Sequence, residues 1–108
     1  MVHTLVTFHV LPDRTEEFES LHRRLLELIC AQPGCREVRV HRSIVDPLEY
    51  VVYGTWESKK SWERAHQTTD EFKSLFKRLP VEGHTLSRTS FFEAAYQFVG
   101  TAAAGSTA

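Results

Sequence analysis

The stretch Tyr50–Trp56, Y-V-V-Y-G-T-W, limits the possible folds more than any other part of the chain. Its β-branched and aromatic residues read as a strand, yet the strand is apolar at both parities. Tyr50, Val52 and Trp56 fall on one face, and Val51 and Tyr53 on the other. A strand apolar on both faces has to be covered on both sides. The chain then turns at Glu57-Ser58 into a helix carrying Trp62 and His66, so two indoles and an imidazole fall within eleven residues.

The remaining segments supply the covering layers. Val2–Leu11 alternates, with Val2, Thr4, Val6, Phe8 and Val10 opposed to His3, Leu5, Thr7 and His9, and Pro12 ends this strand. Asp13 and Glu16 predict a capping box for a helix running to about Ala31. In it Phe18, Leu21, Leu25, Leu28 and Ile29 form a buried stripe, and Pro33-Gly34 stops it. Arg36–Val45 alternates again, and Asp46-Pro47-Leu48-Glu49 reads as a hairpin connection. Ser58 caps a helix over Lys59–Gln67. Thr68-Thr69 interrupts it, and Thr69 or Asp70 starts a second piece with Phe72, Leu75, Phe76 and Leu79 on one stripe. Thr85–Ala94 predicts a fourth strand with Phe91 and Phe92 on opposite faces, and Ala95–Val99 extends it.

The order β-α-β-β-α-β closes most simply as an α+β, ferredoxin-like antiparallel sheet with both helices on one face. One domain over residues 1–100 is expected, with a small, polar, disordered tail at 101–108. The face without helices would carry Val51, Tyr53 and one of Phe91 and Phe92. Such a face is not left in water, which predicts a homodimer, with Tyr96 and Phe98 as an arm across the interface.

Thirteen basic residues against fourteen acidic ones, a net charge of −1, argue against a nucleic-acid or anionic-membrane surface. No apolar run approaches the roughly 20 residues needed to cross a bilayer, and no signal-peptide pattern opens the chain, so a cytoplasmic setting is expected. Cys30 and Cys35 read as two reduced thiols, without the further pair a zinc site needs. Glycine-rich phosphate or dinucleotide loops, a nucleophile elbow and a flavin- or haem-attachment motif are all missing.

Chemistry therefore concentrates in the opening segment. Trp56 is either a plug at the sheet–helix corner or one wall of a flat aromatic pocket. Trp62 and His66, four residues apart, share a helix face. His66 is either a partly exposed end residue or a base pointing into the cleft, with a pKa of about 6.5 suited to proton transfer near neutrality. Tyr50, Val52 and Phe72 would complete the wall. Lys73, otherwise a solvated helix residue, would attract a phenolate from the rim, and His9 would add a hydrogen bond. A site made by His3, His9, His41 and His66 lacks any ligand spacing, and no metal is expected.

These residues bear a family resemblance. V-L-P-D-R after the first strand, P-G-C at 33–35, V-V-Y-G-T-W-E-S and W-E-R-A-H together resemble the antibiotic biosynthesis monooxygenase domain of the dimeric α+β barrel superfamily, over about Val2–Tyr96. The resemblance implies a dimer that oxidises a small phenolic, anthrone-like or quinol aromatic with dioxygen, using no metal or flavin. In the actinorhodin-pathway type a strand-end Trp matches Trp56 and a Tyr falls on Trp62. A helical Arg falls roughly on Lys73 and an Asn falls on Val52, which cannot hydrogen-bond a substrate. The quinol-oxidising type carries a His at His66. The haem-degrading relatives' Asn and His fall on Val6 and near Phe76, so haem degradation is rejected.

The expected activity is a cofactor-free monooxygenase, with His66 and Trp56 catalytic and with Trp62, Val52, Tyr50, Phe72, Lys73 and His9 binding substrate. Two alternatives use the same residues: a protein that binds a small aromatic ligand without turnover, as in a stress response, and a cyclase or isomerase with His66 as acid/base.

Overall fold

A computed structural model describes residues 1–67, 69–83 and 89–101. Its elements are β1 (Val2–His9), α1 (Thr15–Cys30), β2 (Cys35–Arg42), β3 (Glu49–Trp56), α2 (Lys59–Ala65), α3 (Asp70–Arg78) and β4 (Ser90–Phe92). The strands form one antiparallel sheet in the order β2-β3-β1-β4. This is the ferredoxin-like α+β arrangement, with the second helix broken in two.

Register follows the strand parity. Thr4 lies opposite Gly54, Val6 opposite Val52 and Phe8 opposite Tyr50, and all of them face the helices. Val38 and Val40 extend those rows on β2, and Phe91 joins Thr4 on β4. Phe8, Phe18, Leu25, Ile29, Tyr50, Val52, Trp56, Phe72 and Leu79 form the core between sheet and helices. Full burial of one such side chain stabilises the fold by roughly 1.5–3 kcal/mol, so this single layer carries most of the stability.

The other face holds His3, Leu5, Thr7 and His9, then Val51, Tyr53 and Thr55, then Glu37, Arg39 and His41, and finally Phe92. Tyr53 is 50% exposed and Phe92 53% exposed. Of the two phenylalanines, Phe92 is thus the one on the open face.

Several local expectations change. The capping box does not form: Asp13 adopts φ 63°, and Arg14 stands at the N-cap without a side-chain hydrogen bond. The left-handed residue leaves the N-cap to the next position, an arginine, whose side chain has no acceptor to offer the first amides. β1 ends at His9, beyond which Val10 makes an isolated bridge to Val81. β2 stops at Arg42 because the Ser43 hydroxyl accepts the Val45 and Asp46 amides and turns the chain early. β4 spans three residues, and residues 93–100 leave the sheet, with Tyr96 83% and Phe98 90% exposed. The part of the expected fourth strand over 85–88 and the part of the tail over 102–108 lie outside the described residues. Cys30 and Cys35 are free thiols, and burial, with Cys30 adding to it, pushes the Cys35 thiol up to about 12. No helix among the described residues is long and apolar enough to cross a membrane.

Candidate active site

Three local devices aim the aromatic residues. Gly54 is the first: a Cβ there would stand 2.8 Å from the Trp56 indole nitrogen and 2.5 Å from Thr4 Oγ1. Only a residue without a side chain lets the indole lie that close, and Trp56 is accordingly 1% exposed. The second is the Ser58 cap, whose hydroxyl accepts the Ser61 amide at 3.1 Å and starts α2 directly after the strand. The third is the break between helices. α2 ends at Ala65, and Thr69 caps α3 by accepting the Phe72 amide at 3.1 Å.

That break leaves His66 at the C-cap, where its ring folds back over its own helix. Nδ1 lies 2.7 Å from the Trp62 carbonyl oxygen. A carbonyl only accepts, so Nδ1 carries the proton and Nε2 holds the free lone pair. Burial draws the His66 pKa below the ordinary histidine value, against a smaller upward pull from that carbonyl. The ring is therefore neutral at pH 7 with Nε2 as an available base. Aromatic faces hold it in place: Trp62 stacks on it at 4.2 Å, Phe72 meets it edge-on at 5.6 Å, and Trp56 lies 5.9 Å away.

The space around His66 divides into chambers. Two inner lobes of about 40 Å³ each lie between sheet and helices and share Val6, Leu26, Ile29, Val52 and His66. One is bounded by Phe8, Leu25, Phe72 and Leu79. The other is bounded by Thr4, Trp56, Trp62 and Thr89. Beside them an outer groove of about 390 Å³ is lined by Lys59, Trp62, Glu63, His66, Gln67, Thr89 and Phe91. The expected aromatic slot between sheet and helices is thus largely plugged by side chains. A benzene-sized cavity measures about 150 Å³ and ligand pockets begin near 300 Å³, so the groove has room for a ring system and each lobe does not.

The structure brings His66, Trp56, Trp62, Val52 and Phe72 together and separates the other expected residues from them. Tyr50 lies on the right face but at the far end, where its hydroxyl donates to Glu19 at 2.7 Å. Burial, with the Glu19 carboxylate adding to it, pushes its pKa up to about 12. Lys73 is exposed on α3 and lines no chamber described above. His9 is on the opposite sheet face, as its odd position in β1 requires, and cannot reach the cleft. There its ring, Asp46 and Glu49 place ligand atoms within 4.8 Å of one another. His3 and His41 share that face, so neither they nor His9 converges with His66.

Two residues enter the site unannounced. His22 is 4% exposed on α1, stacked on Phe18 at 5.0 Å, and burial lowers its pKa to about 4. Its position on the Phe18–Leu25–Ile29 stripe was the available signal. Thr89 carries a buried hydroxyl without a hydrogen-bond partner among the described residues, on the wall shared by one lobe and the groove.

Known proteins resemble this chain in sequence pattern and fold. The family model for antibiotic biosynthesis monooxygenase matches residues 1–78. None of the curated proteins matches the chain. Among solved structures, a mutant of SnoaB, a cofactor-independent oxygenase from Streptomyces nogalater, superposes with TM-score 0.76 at 21% identity, covering 89% of this chain and 94% of that one. An antibiotic biosynthesis monooxygenase superposes with TM-score 0.75 at 17% identity over 89% and 100% of the two chains. A conserved protein from Methanosarcina mazei Go1 does so with TM-score 0.73 at 20% identity over 84% and 89%. At these identities the likeness to solved structures is one of fold.

Proposed function

Since the chain belongs to the antibiotic biosynthesis monooxygenase family, we propose that it is a cofactor-independent monooxygenase of a phenolic, anthrone-like or quinol aromatic. The observation that carries this reading is the contact of His66 Nδ1 with the Trp62 carbonyl, which makes Nε2 the basic nitrogen of a residue lining one wall with Trp56 and Trp62. The ring system lies in the groove against Trp62 and Phe91, whose rings meet edge-on at 4.8 Å. Lys59, with its ammonium 5.0 Å from the Phe91 centroid, offers a cation to a phenolate at the mouth.

For an anthrone-like methylene the chemistry is as follows. Nε2 of His66 removes a proton and the substrate becomes a carbanion delocalised as a phenolate. Its electrons reduce dioxygen, and a C–O bond forms to give a peroxide. Loss of the second C–H proton and cleavage of the O–O bond leave a carbonyl and release water. One oxygen atom stays in the product and the other leaves, so CH2 + O2 gives C=O + H2O. The Thr89 hydroxyl donates to the developing oxyanion, the part that Val52 cannot play.

Oxygen uptake by metal-free protein, followed with a panel of dihydroxyanthracenones and quinols, tests this directly. His66→Ala should lower kcat by about 10²–10⁴-fold. Thr89→Val should lower it by roughly tenfold or more, with Thr89→Ser retaining activity. Uptake no faster than in buffer across the panel would sink the reading. Tryptophan quenching without product would then indicate a binding protein, and product without oxygen uptake a cyclase or isomerase.

The open sheet face supports a second part of the reading, that two copies pair through it. Leu5, Val51, Tyr53 and Phe92 give it an apolar centre, and Glu37, Arg39 and His41 rim it.

A further inference from the structure

The inner lobe bounded by Phe8, Leu25, Phe72 and Leu79 is closed to any aromatic substrate by its size, yet it adjoins the candidate base. Its volume is about 40 Å³, and nine of its eleven lining residues are apolar; the other two are His22 and His66. The two imidazoles are the fewest polar partners a buried water takes, and apolar cavities take up apolar guests instead. The chamber exceeds what one water needs, about 10–15 Å³ on the same kind of measure, and falls well short of a benzene-sized cavity. A small apolar diatomic fits both limits.

We infer that this lobe is the dioxygen-binding site, holding the co-substrate behind His66 while the aromatic lies in the outer groove; the inference rests on the oxygenase reading above for its biological sense. Two further features agree with it. The lobe shares Val6, Leu26, Ile29, Val52 and His66 with the chamber that meets the groove, so a diatomic leaving it passes the imidazole that takes the substrate proton. It also shares His22 and Leu26 with a depression of about 240 Å³ between α1 and β2, which opens on the other side of the molecule from the groove. His22 and Leu26 thus wall both spaces, which offers dioxygen an approach to the lobe that the groove does not occupy.

The test uses dioxygen itself and needs no turnover. Under raised oxygen pressure, methyl signals of Leu25 and Leu79 should show stronger paramagnetic relaxation than those of Leu75. Leu75 is comparably buried, at 7% exposed, and lines neither lobe. Leu25→Phe, which fills the chamber, should abolish that enhancement at Leu79. In a protein that oxidises its substrate it should also raise KM for dioxygen severalfold and leave KM for the aromatic unchanged. Leu79→Phe, with the readout at Leu25, is the second filling variant should Leu25→Phe not fold. Relaxation at Leu25 and Leu79 no greater than at Leu75 overturns the inference, and so does a folded filling variant with unaltered KM for dioxygen. If no aromatic is oxidised at all, the oxygenase reading falls, while enhanced relaxation at Leu25 and Leu79 still locates dioxygen in the lobe.

Discussion

His22 shows how one side chain links packing to pH. Phe18 stacks on it, the Phe8 ring lies 5.6 Å away, and burial lowers its pKa to about 4. At pH 7 the imidazole is neutral in the folded and the unfolded chain, and it adds no pH dependence. As pH falls through 6.5 the unfolded chain takes up a proton that the folded one refuses, and stability is lost until pH reaches about 4. The full loss is about 3 kcal/mol. His66, shifted in the same direction, adds to it. His22→Phe should flatten the acid limb of the stability curve; equal losses of Tm in variant and wild type between pH 7 and 4.5 would assign the limb to other groups. The same lowering of the His66 pKa predicts that turnover declines at a lower pH than an ordinary histidine base would give, because the base works unprotonated. His22 was not legible as a core residue because histidine counts as polar in a hydrophobic stripe. Thr89 was not legible either, since its burial depends on how α2 packs over β4.

At the scale of elements, the turn after α1 positions the helix that carries the site. Gly34 has φ 92°, and its carbonyl accepts the Glu57 amide at 2.8 Å, fastening the α1–β2 turn to the β3–α2 junction. A Cβ at Gly34 would collide with the Ser61 side chain. Gly34→Ala therefore combines left-handed strain with overpacking, at a cost of about 1–3 kcal/mol. Denaturant midpoints should report it, and kcat should fall with it because Ser61 leads into Trp62. The strand faces were readable because a period of two leaves only one assignment once one face is buried. Parity put Trp56 and Val52 toward the helices and Val51 and Tyr53 away from them, as the structure has them. Helix and strand ends were less readable. The Asp13–Glu16 pattern matched a cap by spacing, and a single left-handed residue cancelled it. Spacing also put Lys73 near the site stripe, but one residue past Phe72 on a helix is a turn of about 100°, enough to face solvent.

For the molecule as a whole, β3 couples the cleft to the open face. Tyr53 stands at the centre of that face, paired with Leu5 and Arg39 on its neighbours and meeting the His41 ring edge-on at 6.3 Å. Tyr53→Glu should turn the proposed dimer into a monomer, read by light scattering, and leave the fold of each copy intact because the substituted side chain does not touch the core. A wild-type protein already monomeric at high concentration would remove the basis for that pairing. The groove lies by α2 and β4, and the depression that adjoins the inner lobe across His22 and Leu26 lies by α1 and β2, the opposite edge of the sheet. If dioxygen enters by that depression, the two reactants do not wait for each other. The rate law should therefore be that of random addition, with either reactant able to bind the free protein first, where a cleft with one mouth would impose a compulsory order.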